Sequence, residues 1–383
     1  MFKGPGKISA ALMLLMFILF AGASFAVLAE EGVSDNAILI GQTIGVTGTV
    51  AGPVKEMREG ANAYFASVNA NGGINGRKIK LITLDDKFDP ALAASNAEKL
   101  IRNEHVFVLF QSRGTPHTQA ILPILEANRV PLIAPSTGAS IFHNPVNPLI
   151  FNVRAKYQTE IGKAVEYFIF TGVKSIGLLH VEDTFGTDGL AGFNNAMKLH
   201  SLQPATIASF ARDNPDYKAT AEKVIKAKPA ALIIVSSSKN TVEVIKAIRA
   251  AGSQMQIMTL SNNSSESFIK DLGAAKAGII LGQVTPPPDL VSTLLGQEFA
   301  AAAKKTRATV SYAAMEGFVS AKVLAEGLRR AGANLSRDRF LRAMESIRHE
   351  DLGGLMITYT PQNHTGSEFV EFTMIGKDGR YVR

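Results

Sequence analysis

The chain has 383 residues, 46% apolar and 19% charged, with 33 Gly, 16 Pro and no Trp. At about 150 residues per domain this predicts two or three domains with sizeable cores and excludes a disordered chain. Without Cys there can be no disulfide framework, thiolate metal site, cysteine nucleophile or lipoprotein anchor, and the net charge of +7 arises from 40 basic and 33 acidic residues with no long basic run, which argues against nucleic acid as a partner.

Residues 1–29 read as a signal peptide. Lys3 and Lys7 precede the apolar run Ile8 to Phe20, and Val27-Leu28-Ala29 supplies a small-x-Ala cleavage site just before Glu30-Glu31. The run is short for the ~20 residues that a membrane span needs. Export to the periplasm is therefore expected.

From Ala37 onward, short apolar runs alternate with helical patterns. Ile38 to Ile44 is an expected strand, followed by a Gly/Thr-rich loop over 47–53 and a helix carrying Met57, Ala61, Tyr64, Phe65 and Val68 on one face. Asn75-Gly76 predicts a tight turn before the strand Lys78 to Leu84, and Asp89-Pro90 predicts a capped helix start. Strands at Val106-Phe110 and Pro131-Ala134 flank a helix from about Thr115 to Ala127. A second series follows Asn152-Val153-Arg154, with strands at 175–181, 206–210, 231–235, 256–260 and 278–284, and Asn214-Pro215 as an expected cap. Such alternation predicts parallel βαβ units. The expected fold is α/β, with two similar doubly wound parallel-sheet lobes: residues 36–153 plus 286–358, and residues 154–285 plus 359–383.

No G-x-S-x-G, H-E-x-x-H or phosphate-cradling G-x-x-x-x-G-K-[ST] occurs after the signal segment, and the seven His are dispersed. No catalysis, metal or cofactor is expected. The informative loops lie at the carboxyl ends of strands, where open α/β sheets bind ligands. Ser112-Arg113-Gly114-Thr115-Pro116 opens a helix, with Thr115 as its expected N-cap, and such a helix end favours an anion. Pro135-Ser136-Thr137-Gly138 follows the next strand in the same manner. Arg113, Gly114, Thr115, Ser136, Thr137 and Gly138 are thus candidate ligand contacts.

The stretches Gly60-Ala61 to Gly76, Asp85-Asp86 to Asp89-Pro90, Pro131 to Ser136, Phe185-Gly186 to Gly189-Leu190, Asp351 to Gly354 and Phe369 to Thr373 occur in an order that resembles the periplasmic solute-binding proteins of the branched-chain amino-acid ABC-transporter class, type I binding proteins. The resemblance spans nearly all of Ile38 to Arg383. It implies two lobes that close on a small-molecule ligand, three crossovers between them, permease subunits in the inner membrane as partners, and a monomer. It places the family's carboxylate-holding loops on Gly114-Thr115 and Ser136-Thr137-Gly138, and its aromatic lid on Phe185. The acidic residue that holds the ligand ammonium in amino-acid-binding relatives falls in Ser261-Asn262-Asn263, with no carboxylate before Glu266, and another aromatic falls in Ser236-Ser237-Ser238. Ser237, Ser261 and Asn262 complete the expected site. An acid lacking an α-amino group fits this pattern better than an amino acid. The implied function is the extracytoplasmic binding component of an ABC importer, capturing a small carboxylate-bearing solute (an amino acid-like, aromatic or aliphatic acid) by lobe closure; a periplasmic sensor for a signalling partner is the alternative.

Overall fold

The computed structural model describes Met1 and residues 30–382, so the expected signal peptide and its cleavage site fall outside the described residues. The chain opens with β1 (Ala37–Ile44), α1 (Ala51–Ala70), β2 (Lys78–Asp85), α2 (Pro90–Arg102), β3 (Val108–Phe110), α3 (Thr115–Asn128), β4 (Leu132–Ile133) and β5 (Ile150–Phe151). These five strands form one parallel sheet in the order β2-β1-β3-β4-β5. Next come α4 (Tyr157–Phe170), β6 (Ile176–Val181), α5 (Thr184–Leu199), β7 (Thr206–Phe210), α6 (Tyr217–Lys226), β8 (Ala231–Val235), α7 (Ser238–Ala250), β9 (Gln256–Thr259), α8 (Glu266–Leu272) and β10 (Ile279–Gln283). The remainder is α9 (Leu294–Thr306), α10 (Tyr312–Ala331), α11 (Arg337–Glu345), the short pair β11 (Glu350–Asp351) and β12 (Met356–Ile357), then β13 (Glu371–Ile375) and β14 (Tyr381–Val382). The second sheet runs β14-β13-β10-β9-β8-β6-β7, with β13 and β14 antiparallel at one edge.

Two lobes follow from this topology. Ala231 to Val235 is buried throughout, because a central parallel strand has both faces covered by helices. The late helices return to the first lobe: α10 packs along α1, where a Cβ on Gly60 would lie 1.8 Å from the Ala314 carbonyl and one on Gly317 would lie 1.9 Å from that of Met57. Only glycine permits backbones this close. Among the described residues no helix is long and apolar enough to cross a membrane.

Local chemistry explains where the elements start. Asn75 and Gly76, at φ 49° and 80°, turn the chain between Ile74 and Arg77, which bridge each other. Asp89 accepts the N–H groups of Ala91 and Leu92, with Pro90 in the first turn of α2. Two expected caps differ. Asp216, rather than Asn214-Pro215, caps α6 by accepting the Ala219 N–H three residues on, the spacing an N-cap needs. Thr115 is not the N-cap of α3; Gly114 holds that place at φ 96°, a conformation that glycine adopts freely, and Thr115 becomes the first helical residue.

The last crossover also comes later than expected. Tyr359 belongs to the first lobe's core, its hydroxyl donates to the Asn152 carbonyl at 3.0 Å, and His364 stacks on Phe151 at 3.9 Å. Residues 359–366 thus lie against the first lobe, and the chain enters the second near 367–370. The lobes also touch through Glu56 of α1, whose carboxylate accepts the N–H groups of Glu266 (2.9 Å) and Ser267 (2.8 Å) at the start of α8.

Candidate functional site

Between the lobes lies a small cavity of about 20 Å³. The first lobe lines it with Val50, Phe88, Arg113, Gly114, Thr115 and Ser136, and the second with Tyr157, Phe185, Arg212, Ser237 and Asn262. Larger concavities of about 460 and 700 Å³ lie on the outside of the first lobe. Neither is reached by both lobes. A cavity of 20 Å³ holds roughly one water, so a solute can enter only if the lobes part.

The first-lobe wall is an extension of its sheet. Arg113 and Ser136 form a parallel bridge beyond β3 and β4, with the Ser136 N–H donating to the Ser112 carbonyl at 2.7 Å. The free amide end of α3 is thereby held at the cavity edge. Thr115 and Thr137 share a hydroxyl hydrogen bond of 2.8 Å. Gly114 lies against His117, whose Nδ1 would sit 2.6 Å from a Cβ there. That imidazole stacks on Phe88 at 4.2 Å, and burial pulls its pKa down to about 4. In the loop that carries Phe88, burial pushes Asp86 up to about 6, against the Phe88 N–H and Thr43 hydroxyl that both donate to it.

The second-lobe wall is built differently. Asp183 caps α5 through the Phe185 and Gly186 amides and so fixes Phe185, whose ring packs on Tyr157 at 4.7 Å. The same Asp183 pairs with Arg212, which lies over the Phe88 ring of the first lobe at 5.2 Å.

Beneath the cavity, Arg113 donates to the Ser136 hydroxyl (3.2 Å) and, across the lobes, to the Asn262 carbonyl (2.7 Å). Burial lowers its pKa, while Glu316 opposes that shift. Arg154, at the crossing between lobes, meets Glu160 at 2.6 Å, Glu316 at 3.4 Å and the Ser261 hydroxyl. Burial alone would lower the Arg154 pKa, but Tyr157, Glu316 and Glu160 raise it above the ordinary arginine value. Burial raises Glu160, opposed by Arg154 and by the N–H and hydroxyl of Ser261, each 2.9 Å away.

Of the ten expected site residues, Arg113, Gly114, Thr115, Ser136, Phe185, Ser237 and Asn262 line this cavity. Thr137, Gly138 and Ser261 do not. Thr137 supports Thr115, Ser261 sits in the Arg154–Glu160 network, and the Gly138 carbonyl accepts the Tyr157 N–H at 2.7 Å where the lobes meet. Val50, Phe88, Tyr157 and Arg212 were not expected. Arg212 follows the carboxyl end of β7, so the rule that picked out Arg113 would have found it in the second series.

Comparison with known proteins agrees with this architecture. A family model described as periplasmic binding protein matches residues 37–380. The Leu/Ile/Val-binding protein of Escherichia coli (strain K12) is 23% identical over 255 residues, 65% of this chain and 69% of the relative. A substrate-binding periplasmic protein from Ralstonia solanacearum superposes with a TM-score of 0.85 at 30% identity, covering 90% of this chain and 99% of that one. The fatty acid ABC transporter substrate-binding protein from Thermomonospora curvata shares the fold, with a TM-score of 0.83 at 19% identity over 92% of this chain and 93% of its own. Two doubly wound lobes, a cavity where their sheet ends meet and a match along nearly the whole described chain make this a member of the periplasmic binding protein family, in its type I, branched-chain amino-acid class.

Proposed function

We propose that the protein is the extracytoplasmic substrate-binding component of an ABC importer, capturing a small carboxylate-bearing solute, aromatic or aliphatic, as its lobes close. The observation that carries this reading is the make-up of the cavity wall: two guanidinium groups, hydroxyls and aromatic rings, and no carboxylate. A ligand carboxylate would be satisfied by Arg113, Thr115 and the first amides of α3. An α-ammonium would lose its hydration with no anion among the lining residues, a deficit of several kcal/mol. The relative's name specifies leucine, isoleucine and valine; their carbon skeletons without the ammonium suit this lining.

In this reading residues 1–29 direct export to the periplasm, and permease subunits recognise a closed monomer. The moving bodies are 36–153 with 286–366, and 154–285 with 370–382. Isothermal calorimetry comparing 4-methylpentanoate and benzoate with leucine and phenylalanine tests the ligand class. The acids should bind at least tenfold more tightly than the amino acids, since 1.4 kcal/mol already corresponds to a factor of ten. Leucine bound at submicromolar affinity with both acids silent would refute it.

A further inference from the structure

The charges around the cavity cancel. Arg113 and Arg154, both buried, are offset by the carboxylates of Glu160 and Glu316, and Arg212 is offset by Asp183. Glu316 occupies the decisive position. It reaches from α10 to the floor of the cleft, where its Oε1 accepts from the Ser136 hydroxyl at 3.3 Å and lies 3.4 Å from Arg154 Nη1. The Ser136 hydroxyl in turn accepts from Arg113 at 3.2 Å and lines the cavity. An anion bound to Arg113 would be separated from Glu316 by the single Ser136 hydroxyl, which bridges the two.

We propose that Glu316 is a specificity-determining residue, a resident counter-anion that limits the ligands accepted to those with at most one negative charge. The inference rests on the reading that a ligand carboxylate meets Arg113. In a water-poor cleft two like charges this close repel strongly. A single ligand carboxylate leaves the buried group with one excess negative charge, which hydroxyl and amide donors can bear. A second would leave two. Without Glu316 the floor would be cationic, and the first carboxylate would be drawn in by uncompensated charge.

The experiment is calorimetry of wild type and Glu316→Gln with benzoate, benzamide, 4-methylpentanoate, 4-methylpentanamide and pentanedioate. E316Q should raise the preference for each acid over its amide by at least about tenfold and should let pentanedioate bind. Glu316→Asp should restore the wild-type ratio. If acid and amide shift by the same factor, or the acid loses more, Glu316 only packs and the inference is overturned. If no acid binds wild type, the carboxylate reading itself fails, and this inference with it.

Discussion

The two walls of the cleft are made by different means. On the first lobe, loops 111–115 and 134–138 continue the pairing of β3 and β4, so their hydroxyls and amides are fixed by backbone hydrogen bonds. On the second lobe, the loop bearing Arg212 has no strand partner. Its guanidinium is held by one ion pair and one aromatic face, and its carbonyl by the Asn240 amide at 3.1 Å. A wall built from backbone pairing is a fixed template. A wall built from side-chain contacts can reshape around its guest, and the Arg154 network joins the two.

The largest effect should come from breaking that joint. Arg154→Met leaves Glu160 buried without its cation, which should cost about 3–5 kcal/mol of stability in urea denaturation. A loss under 1 kcal/mol would mean that the network is not closed in solution.

Beneath the fixed wall, Asp86 and His117 titrate in opposite senses. Asp86 has a folded pKa above its unfolded value, so it favours the fold below about pH 4 and that contribution is lost as pH rises through about 6. His117, held neutral down to about 4, contributes stability that is present above its unfolded value near 6.5 and is lost as pH falls. Burial likewise lowers His143, to about 3. Asp86→Asn removes the opposing member. Its unfolding free energy should therefore rise more steeply from pH 4 to 7 than that of wild type, by up to about 3 kcal/mol at 1.36 kcal/mol per pKa unit. Parallel pH profiles would show that Asp86 does not titrate in this range.

Thr115→Val, on the fixed wall, should weaken acid binding by about 1–3 kcal/mol through loss of a hydroxyl partner. Arg212→Ala, on the adaptable wall, should cost at most about 1 kcal/mol, the scale of one partly exposed cation–π contact and ion pair. Calorimetry that reversed these two ranks would reverse the assignment of the walls.

The sequence made the alternation of strand and helix legible because each element carries its own periodicity. It also made the first-lobe loops legible, because Ser112 to Pro116 and Pro135 to Gly138 combine hydroxyls, glycine and a helix start within five residues. Helix α10 lies between two local signals that the sequence carries, Ser311 as its N-cap and Gly332 at its C-cap. Phe88 and Tyr157 were not readable. Each is a lone aromatic whose role depends on where the opposite lobe lands, which no local pattern encodes. The capping role of Thr115 was misjudged because a hydroxyl at a helix start can serve either its own helix or a neighbouring loop, and here Thr137 supplies the partner. Residues 359–366 were assigned to the second lobe because a turn-rich polar segment carries no periodicity that says which sheet it lies against.

Glu56 gives the molecule a built-in reporter. Helix α8 of the second lobe has Ser265 for its own cap, but the amides of Glu266 and Ser267 are satisfied by a carboxylate belonging to the first. When the lobes separate, those two donors turn to water while the rest of α8 keeps its bonds. Their amide protons should therefore exchange with solvent at a rate set by how often the cleft opens, so hydrogen–deuterium exchange at two positions times the breathing of the whole protein.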